Sequence, residues 1–202
     1  MTNTRPHVEV GIGALSFEDV INVARHNATV SISEESLAEI ARSAERVREL
    51  AHHEKPVYGV STGFGALASK HVPLEQRTIL QKSLIRSHAA GSGPEVEREV
   101  IRALMLLRLS TMATGRTGVR PEVAQAYAGM LSAGITPVVF EYGSLGCSGD
   151  LAPLAHCALA IIGEGQVRDA KGNLKDSADA LAEVGLAPVE LAEKEGLALI
   201  NG

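Results

Sequence analysis

The sequence is poor in cysteine, has no surplus of positive charge and contains no long apolar run, and each shortage closes off a class of function. Its only two cysteines, Cys147 and Cys157, lack CxxC spacing and a companion histidine cluster, so neither a disulfide framework nor a zinc site is expected. His52 and His53 are adjacent, cannot share one helix face, and read as a solvated pair rather than joint metal ligands. With a net charge of -5 the chain offers no basic field to gather phosphates, which argues against nucleic acid or an anionic membrane as partner. No stretch approaches the roughly 20 apolar residues that span a bilayer, and the start MTNTRPHVEV has no basic segment leading into an apolar run. A cytoplasmic protein acting on small molecules or protein partners is expected. Repeats and low-complexity tracts are also missing.

What is present is the composition of an ordinary globular chain, 45% hydrophobic and 21% charged over 202 residues, enough for one sizeable core. Ser33 before Glu34 and Glu35 marks a helix start, after which Leu37, Ile40, Ala41, Ala44, Val47 and Ala51 recur with helical period and predict one buried face. Pro73-Leu74 opens a second helix that aligns Leu80, Leu84 and His88 and ends near Gly91-Ser92-Gly93. Pro94 is expected to restart a helix, with Glu95 and Glu97 in its first turn and Val96, Val100, Ile101, Leu104 and Leu107 along one side, running to about Ala113. Beyond the loop Gly115-Arg116-Thr117-Gly118, the register of Val123, Ala124, Tyr127 and Leu131 predicts a helix over Pro121 to Ala133 and so a helical hairpin.

Thr136 to Phe140 reads as extended, Leu151 to Gly163 as a helix with Pro153 in its first turn, and Gly165 to Pro188 as a polar surface turn between short strands. The sum is a mainly α protein, an N-terminal mixed region leading into the beginning of a long helical bundle, with strands too scattered for a parallel sheet or a barrel. We divide it into residues 1–113 and 114–202. The final LALING is apolar and carries no helix cap, so further core is expected to follow it.

The densest unusual feature is Gly143-Ser144-Leu145-Gly146-Cys147-Ser148-Gly149-Asp150. Residue types alone leave two readings open. In the first it is a turn whose Ser148 or Asp150 caps the next helix. In the second a tight bend sets the Gly149 nitrogen against the Cys147 carbonyl carbon, closing a five-membered ring with loss of water. A further dehydration at Ser148 then leaves an exocyclic methylidene. The product, a methylideneimidazolone (MIO), is an electrophile, whereas Ser, Cys, Lys and the acids serve as nucleophiles or proton carriers.

The stretch GSLGCSGDLAPLAH resembles the prosthetic-group motif of the aromatic amino acid lyase family. Upstream, Tyr58-Gly59-Val60-Ser61-Thr62-Gly63-Phe64-Gly65 resembles the family's tyrosine loop, and downstream Leu199-Ile200-Asn201-Gly202 completes three motifs in order. Ser87-His88-Ala89-Ala90-Gly91 is similar to the histidine-specific branch in particular. The resemblance runs from about residue 14 to the last residue. Two departures stand out: Cys-Ser-Gly where Ala-Ser-Gly is commoner, which changes only a ring substituent, and Ser110 near a position where the family often has asparagine.

The resemblance implies a fumarase-aspartase-like helical fold, cut short here, and a homotetramer whose sites are shared between subunits and need the C-terminal remainder of the enzyme. It implies elimination of ammonia from L-histidine to give trans-urocanate, assisted by attack of the substrate amino group, or alternatively its ring, on the methylidene carbon formed from Cys147-Ser148-Gly149. Tyr58 becomes the base for the β proton, since a phenol acts at neutral pH where positive groups or dipoles favour its anion. His88 becomes the group that recognises the substrate imidazole, in place of a core histidine bonded to backbone. Asn201 is assigned to hydrogen bonding near prosthetic group and substrate, and Asp150 either to holding the Gly149 bend or to a helix cap. His156 and Cys157 read as structural. The rivals are a tyrosine or phenylalanine ammonia-lyase or aminomutase of the same family and a non-catalytic helical scaffold. On this reading residues 1–202 alone are inactive.

Overall fold

The computed structural model describes residues 5–146 and 150–201. The chain opens with β1 (His7–Val10), α1 (Phe17–Ala24) and β2 (Thr29–Ile32), and the two strands pair in parallel from His7 opposite Thr29 to Val10 opposite Ile32. No parallel pairing was expected from the scattered strands. It arises because α1 supplies the crossover and because tertiary contacts complete the edge of β2. Ser132 Oγ accepts the Val30 N–H at 2.8 Å and donates to the Val30 carbonyl at 3.1 Å. The start of α1 is fixed by a reciprocal cap in which Ser16 Oγ accepts the Asp19 N–H and the Asp19 carboxylate accepts the Ser16 N–H.

Helix α2 (Glu34–Ala51) begins at its Ser33 cap as expected, but its apolar face is only partly covered: Ile40 and Ala51 are buried while Ala41 is exposed. Helix α3 (Leu74–His88) buries Arg77, Gln81, Leu84 and Ile85. Arg77 serves the preceding helix, donating from Nη1 to the Ala51 carbonyl at 2.7 Å and from Nε to the Val72 carbonyl at 3.0 Å.

The expected helix from Pro94 is corrected in two respects. Ser92–Glu95 is a strand, β3, and the helix that follows, α4 (Arg98–Ala113), starts only at Arg98. Glu95 is drawn out of the helix by Arg168, which holds its carboxylate at 2.6 Å, and the Val96 N–H donates to the Val139 carbonyl at 2.9 Å. The buried face of α4 comprises Ile101, Met105, Leu106, Leu109 and Met112, whereas Val100 and Leu107 are half exposed. Both apolar strips have helical spacing; packing against α1 and the helix that follows α4 selected one of them.

That following helix, α5 (Pro121–Ala133), has the expected bounds, with Val123, Ala124, Tyr127 and Leu131 all buried, and it forms the expected hairpin with α4. Next come β4 (Thr136–Pro137), β5 (Phe140–Tyr142), α6 (Leu151–Ile161), β6 (Gln166–Arg168), β7 (Leu174–Asp176), α7 (Ser177–Glu183) and α8 (Glu195–Ile200). Strand β5 pairs antiparallel with β3, and β4, β6 and β7 form a small antiparallel sheet. The β6–β7 turn is closed by the Asp169 carboxylate, which accepts the Lys171 and Asn173 N–H groups and has its pKa drawn down to about 2, chiefly by its hydrogen bonds from Asn173. Helix α7 was not expected, because seven residues with only Ser177, Ala180 and Leu181 buried carry too little periodicity to read.

The result is a mainly α chain with one continuous core. The apolar run expected to await further core is already packed, since Leu199 and Ile200 have no exposed surface and α8 lies against both α3 and α6. Three buried polar groups organise this core. Arg102 donates to the Val23 and Leu131 carbonyls, and burial pushes its pKa down to about 10. Arg108 donates to the Ala198 carbonyl in α8. Glu195, 1% exposed, accepts the Arg120 Nε, Nη2 and backbone N–H groups at 2.9 Å each and the Ala192 N–H at 2.6 Å.

Removing the Glu195 carboxylate leaves buried backbone donors unpaired, although the Arg120 side chain is 38% exposed and regains water, so Glu195→Ala is expected to lower unfolding free energy by about 2 kcal/mol. Glu99→Ala, which breaks the exposed Arg25–Glu99 pair, should leave the urea midpoint essentially unchanged. Denaturant titration of the two variants side by side checks the contrast; equal midpoints would contradict it.

Candidate active site

Two loops and three helix ends supply the residues singled out in the sequence. The tyrosine loop is drawn together by Ser61, whose Oγ accepts the Val57 N–H at 2.9 Å. It rests on α8 at Gly59, where an added Cβ would lie 2.7 Å from Leu197 Cδ2 and the backbone has φ +70°, a conformation that favours glycine. Tyr58 is 53% exposed, edge-on to Phe64 at 6.1 Å between ring centroids, with its hydroxyl accepting the Gly65 N–H at 3.4 Å. Its phenol is therefore accessible.

His88 ends α3. Its Nδ1 lies 2.8 Å from the Leu84 carbonyl, so that nitrogen carries the proton and Nε2 is left as an acceptor with no hydrogen-bond partner among the described residues. The backbone-bonded arrangement of a structural histidine is thus present on one side of the ring and leaves the other nitrogen available. Beyond His88, the Gly91 N–H donates to His156 Nε2 on α6 at 3.0 Å. Gly143, at the head of the glycine-rich loop, lies against the same segment: a Cβ there would be 3.1 Å from Gly91 Cα and 3.3 Å from Ala152 Cβ.

Cys147, Ser148 and Gly149 lie outside the described residues, but both flanks of the tripeptide are described. Asp150 adopts φ +33° and ψ +61°, a left-handed conformation that a non-glycine residue holds only under constraint. Its carboxylate does not cap α6, which corrects the helix-cap reading. Instead Oδ2 accepts the Ser144 hydroxyl at 2.9 Å and Oδ1 accepts the Leu145 N–H at 3.3 Å, tying the far side of the loop to its near side.

Asn201 follows α8 in an extended conformation, exposed, with its backbone N–H on the Leu197 carbonyl at 3.0 Å. Its side-chain amide makes no hydrogen bond among the described residues. The helix beneath it is fixed by Gln81, whose Oε1 accepts the Leu197 N–H at 3.3 Å, and by Arg108.

Helices α3, α6 and α8 pack against one another in pairs, so the ends bearing His88, Asp150 and Asn201 belong to one packing unit, with the loop of Tyr58 laid on α8. No hydrogen bond joins Tyr58, His88 and Asn201 among the described residues. Sequence reading missed Ser144, Gln81 and Arg108 and set His156 aside. The first signal was a hydroxyl and a carboxylate in one glycine-rich loop, and the second was polar side chains at helical positions that the apolar spacing marks as core. An exposed phenol, an imidazole tied on one side only and an amide with no hydrogen bond among the described residues are groups of the kind that serve proton transfer and the binding of polar molecules. No cluster of metal-ligating residues occurs among the described residues, nor is any helix there long and apolar enough to cross a membrane.

The sequence model of the aromatic amino acid lyases matches residues 15–202. A histidine ammonia-lyase of Streptomyces griseus is 60% identical over 195 residues, which is 96% of this chain and 38% of that protein. The crystal structure of a tyrosine aminomutase from Streptomyces globisporus superposes with a TM-score of 0.89 at 43% identity, over 97% of this chain and 36% of the other. A histidine ammonia-lyase from Trypanosoma cruzi superposes with a TM-score of 0.87 at 34% identity, over 97% and 37%. The chain therefore spans a little over a third of the length of these relatives. With the family model covering nearly all of the sequence and the shared fold covering the same span, the chain belongs to the aromatic amino acid lyase family.

Proposed function

We propose that this chain carries the electrophile-forming loop, the proton-transfer group and the imidazole-recognition group of a histidine ammonia-lyase, an enzyme that eliminates ammonia from L-histidine to give trans-urocanate. The observation that carries the reading is His88, whose Nε2 has no hydrogen-bond partner among the described residues while Nδ1 is tied to backbone. It stands three residues before Gly91, against which Gly143 lies at the head of the glycine-rich loop.

The described flanks fit a methylideneimidazolone made from Cys147-Ser148-Gly149. A Cβ on Gly146 would meet nothing within 4 Å among the described residues, and Asp150 ties the far side of the loop to Ser144 and Leu145. When formed, the group supplies a conjugated electrophilic alkene, which the ordinary side chains lack. The chain's own residues do the rest. His88 Nε2 accepts a hydrogen bond from the substrate imidazole and orients it. Tyr58, exposed at the mouth of its loop, takes the β proton. Asn201 offers both a donor and an acceptor to the bound amino acid. Asp150 keeps the loop in its bend.

The reading extends to a cytoplasmic homotetramer with shared sites, completed by a C-terminal remainder. Within this chain, residues 1–113 form the tyrosine-loop region and 114–202 the region of the electrophile loop. The likeness to a tyrosine aminomutase favours a second reading, an aromatic amino acid ammonia-lyase or aminomutase; products formed from tyrosine and from histidine separate the two.

Three outcomes test the proposal. Intact mass should be lower than the sequence requires by two waters, and Ser148→Ala should restore one of them or both while urocanate formation falls by orders of magnitude. Near-wild-type turnover in that variant would remove the electrophile from the mechanism. His88→Phe should raise KM for histidine about tenfold or more while the folded state persists, because loss of one buried polar contact discriminates strongly. Residues 1–202 by themselves should show no lyase activity and should self-associate through exposed Phe17, Ile79 and Leu107. Supplying the C-terminal remainder as a second polypeptide should restore a defined assembly; full activity from a monodisperse isolated segment would contradict the shared-site picture.

A further inference from the structure

The Gly91 N–H lies between two backbone systems that leave it without a partner. On one side α3 ends with Ala89 N–H on the Ile85 carbonyl and Ala90 N–H on the His88 carbonyl, and on the other the β3–β5 ladder begins at Ser92 opposite Tyr142. An N–H left over in such a partly buried gap costs free energy unless water or a side chain takes it. His156 does so, accepting at 3.0 Å through Nε2. An N–H pointing at Nε2 requires that nitrogen to be unprotonated, and burial accordingly lowers the pKa of the ring. The ring itself is fixed by Phe140 of β5, edge-on at 5.3 Å between centroids. His156 lies on the helix that starts at Asp150, so a single side chain joins the helix behind the electrophile loop to the segment behind His88.

We infer that His156 is a positioning residue that sets His88 relative to Gly143, at the head of the glycine-rich loop, by holding the Gly91 N–H. The inference rests on the histidine-lyase reading for its kinetic consequence, though not for its structural one. Without the acceptor the 89–91 segment loses its only tie to α6 by hydrogen bond among the described residues, and the end of α3 shifts against the loop. The imidazole-binding nitrogen of His88 is then misplaced although every group that touches substrate is still present.

The test uses the lyase-competent assembly and two substitutions. His156→Gln places an amide oxygen near the position of Nε2 and keeps the acceptor; His156→Leu keeps the bulk and removes it. His156→Leu is expected to speed amide exchange at Gly91 at least tenfold and to raise KM for histidine about fivefold with kcat within about twofold of wild type. His156→Gln should bring both readouts back to within about twofold of wild type. If the leucine variant does not fold, His156→Asn, whose amide is too short to reach Gly91, takes its place with the same expectation. Equal behaviour of the acceptor-bearing and acceptor-lacking variants, or exchange at Gly91 unchanged in the latter, overturns the inference. Should the wild-type assembly turn over no histidine at all, the functional reading fails, while the exchange comparison still decides whether His156 holds Gly91.

Discussion

The seat of α8 depends on one buried carboxylate. Glu195 opens that helix and has almost no access to water, yet it is surrounded by four donors: three from Arg120, including its backbone, and one from Ala192. A carboxylate withdrawn from solvent is tolerable only with such saturation, and the geometry that supplies it admits few alternatives. Arg120 precedes α5, so the pair fixes the start of α8 against the start of a core helix. Further along, Gln81 and Arg108 take the N–H of Leu197 and the carbonyl of Ala198. A six-residue helix has little stability of its own. This one is held at each turn by a side chain from another element, and the position of Asn201 follows from that.

The same economy governs the loops. Lys194, just before α8, has φ +68° and donates from Nζ to the Thr117 carbonyl; its pKa is lowered, first by burial and then by nearby Arg108. Asp150, just before α6, has φ +33° and is held by Ser144 and Leu145. In both places an unfavourable backbone conformation persists because side-chain hydrogen bonds fix it, and both lie at the entrance to a helix that carries a site residue.

The candidate site is a product of helix ends rather than of any one helix face. His88, Asp150 and Asn201 sit where α3, α6 and α8 stop or start, and the loop of Tyr58 is pressed onto α8 at Gly59. Helix ends offer unpaired backbone groups and freedom of side-chain direction, while the packed helices behind them supply rigidity. His156 and Arg108 belong to this supporting layer: neither is among the groups that would meet substrate, and each fixes backbone near one that would.

Local sequence determined the features that need only near neighbours. The Ser33 cap, the bounds and buried face of α5 and the end of α4 at Ala113 were all legible, because caps and helical period are written within a few residues, and the tyrosine, histidine and glycine-rich segments could be named as motifs though not placed in space. Tertiary structure decided the rest. Glu95 became a strand residue because Arg168, far along the chain, binds its carboxylate; α4 buried Ile101 and Met105 rather than Val100 and Leu107 because of where α1 and α5 lie. The parallel pairing of β1 with β2 required Ser132 at the edge of β2, and Asp150 proved a clamp instead of a cap because Ser144 and Leu145 came within reach of it. Each of these outcomes turns on a partner set by the folded chain rather than by helical or strand period, and period alone ranks two apolar strips or two hydrogen-bond acceptors as equals.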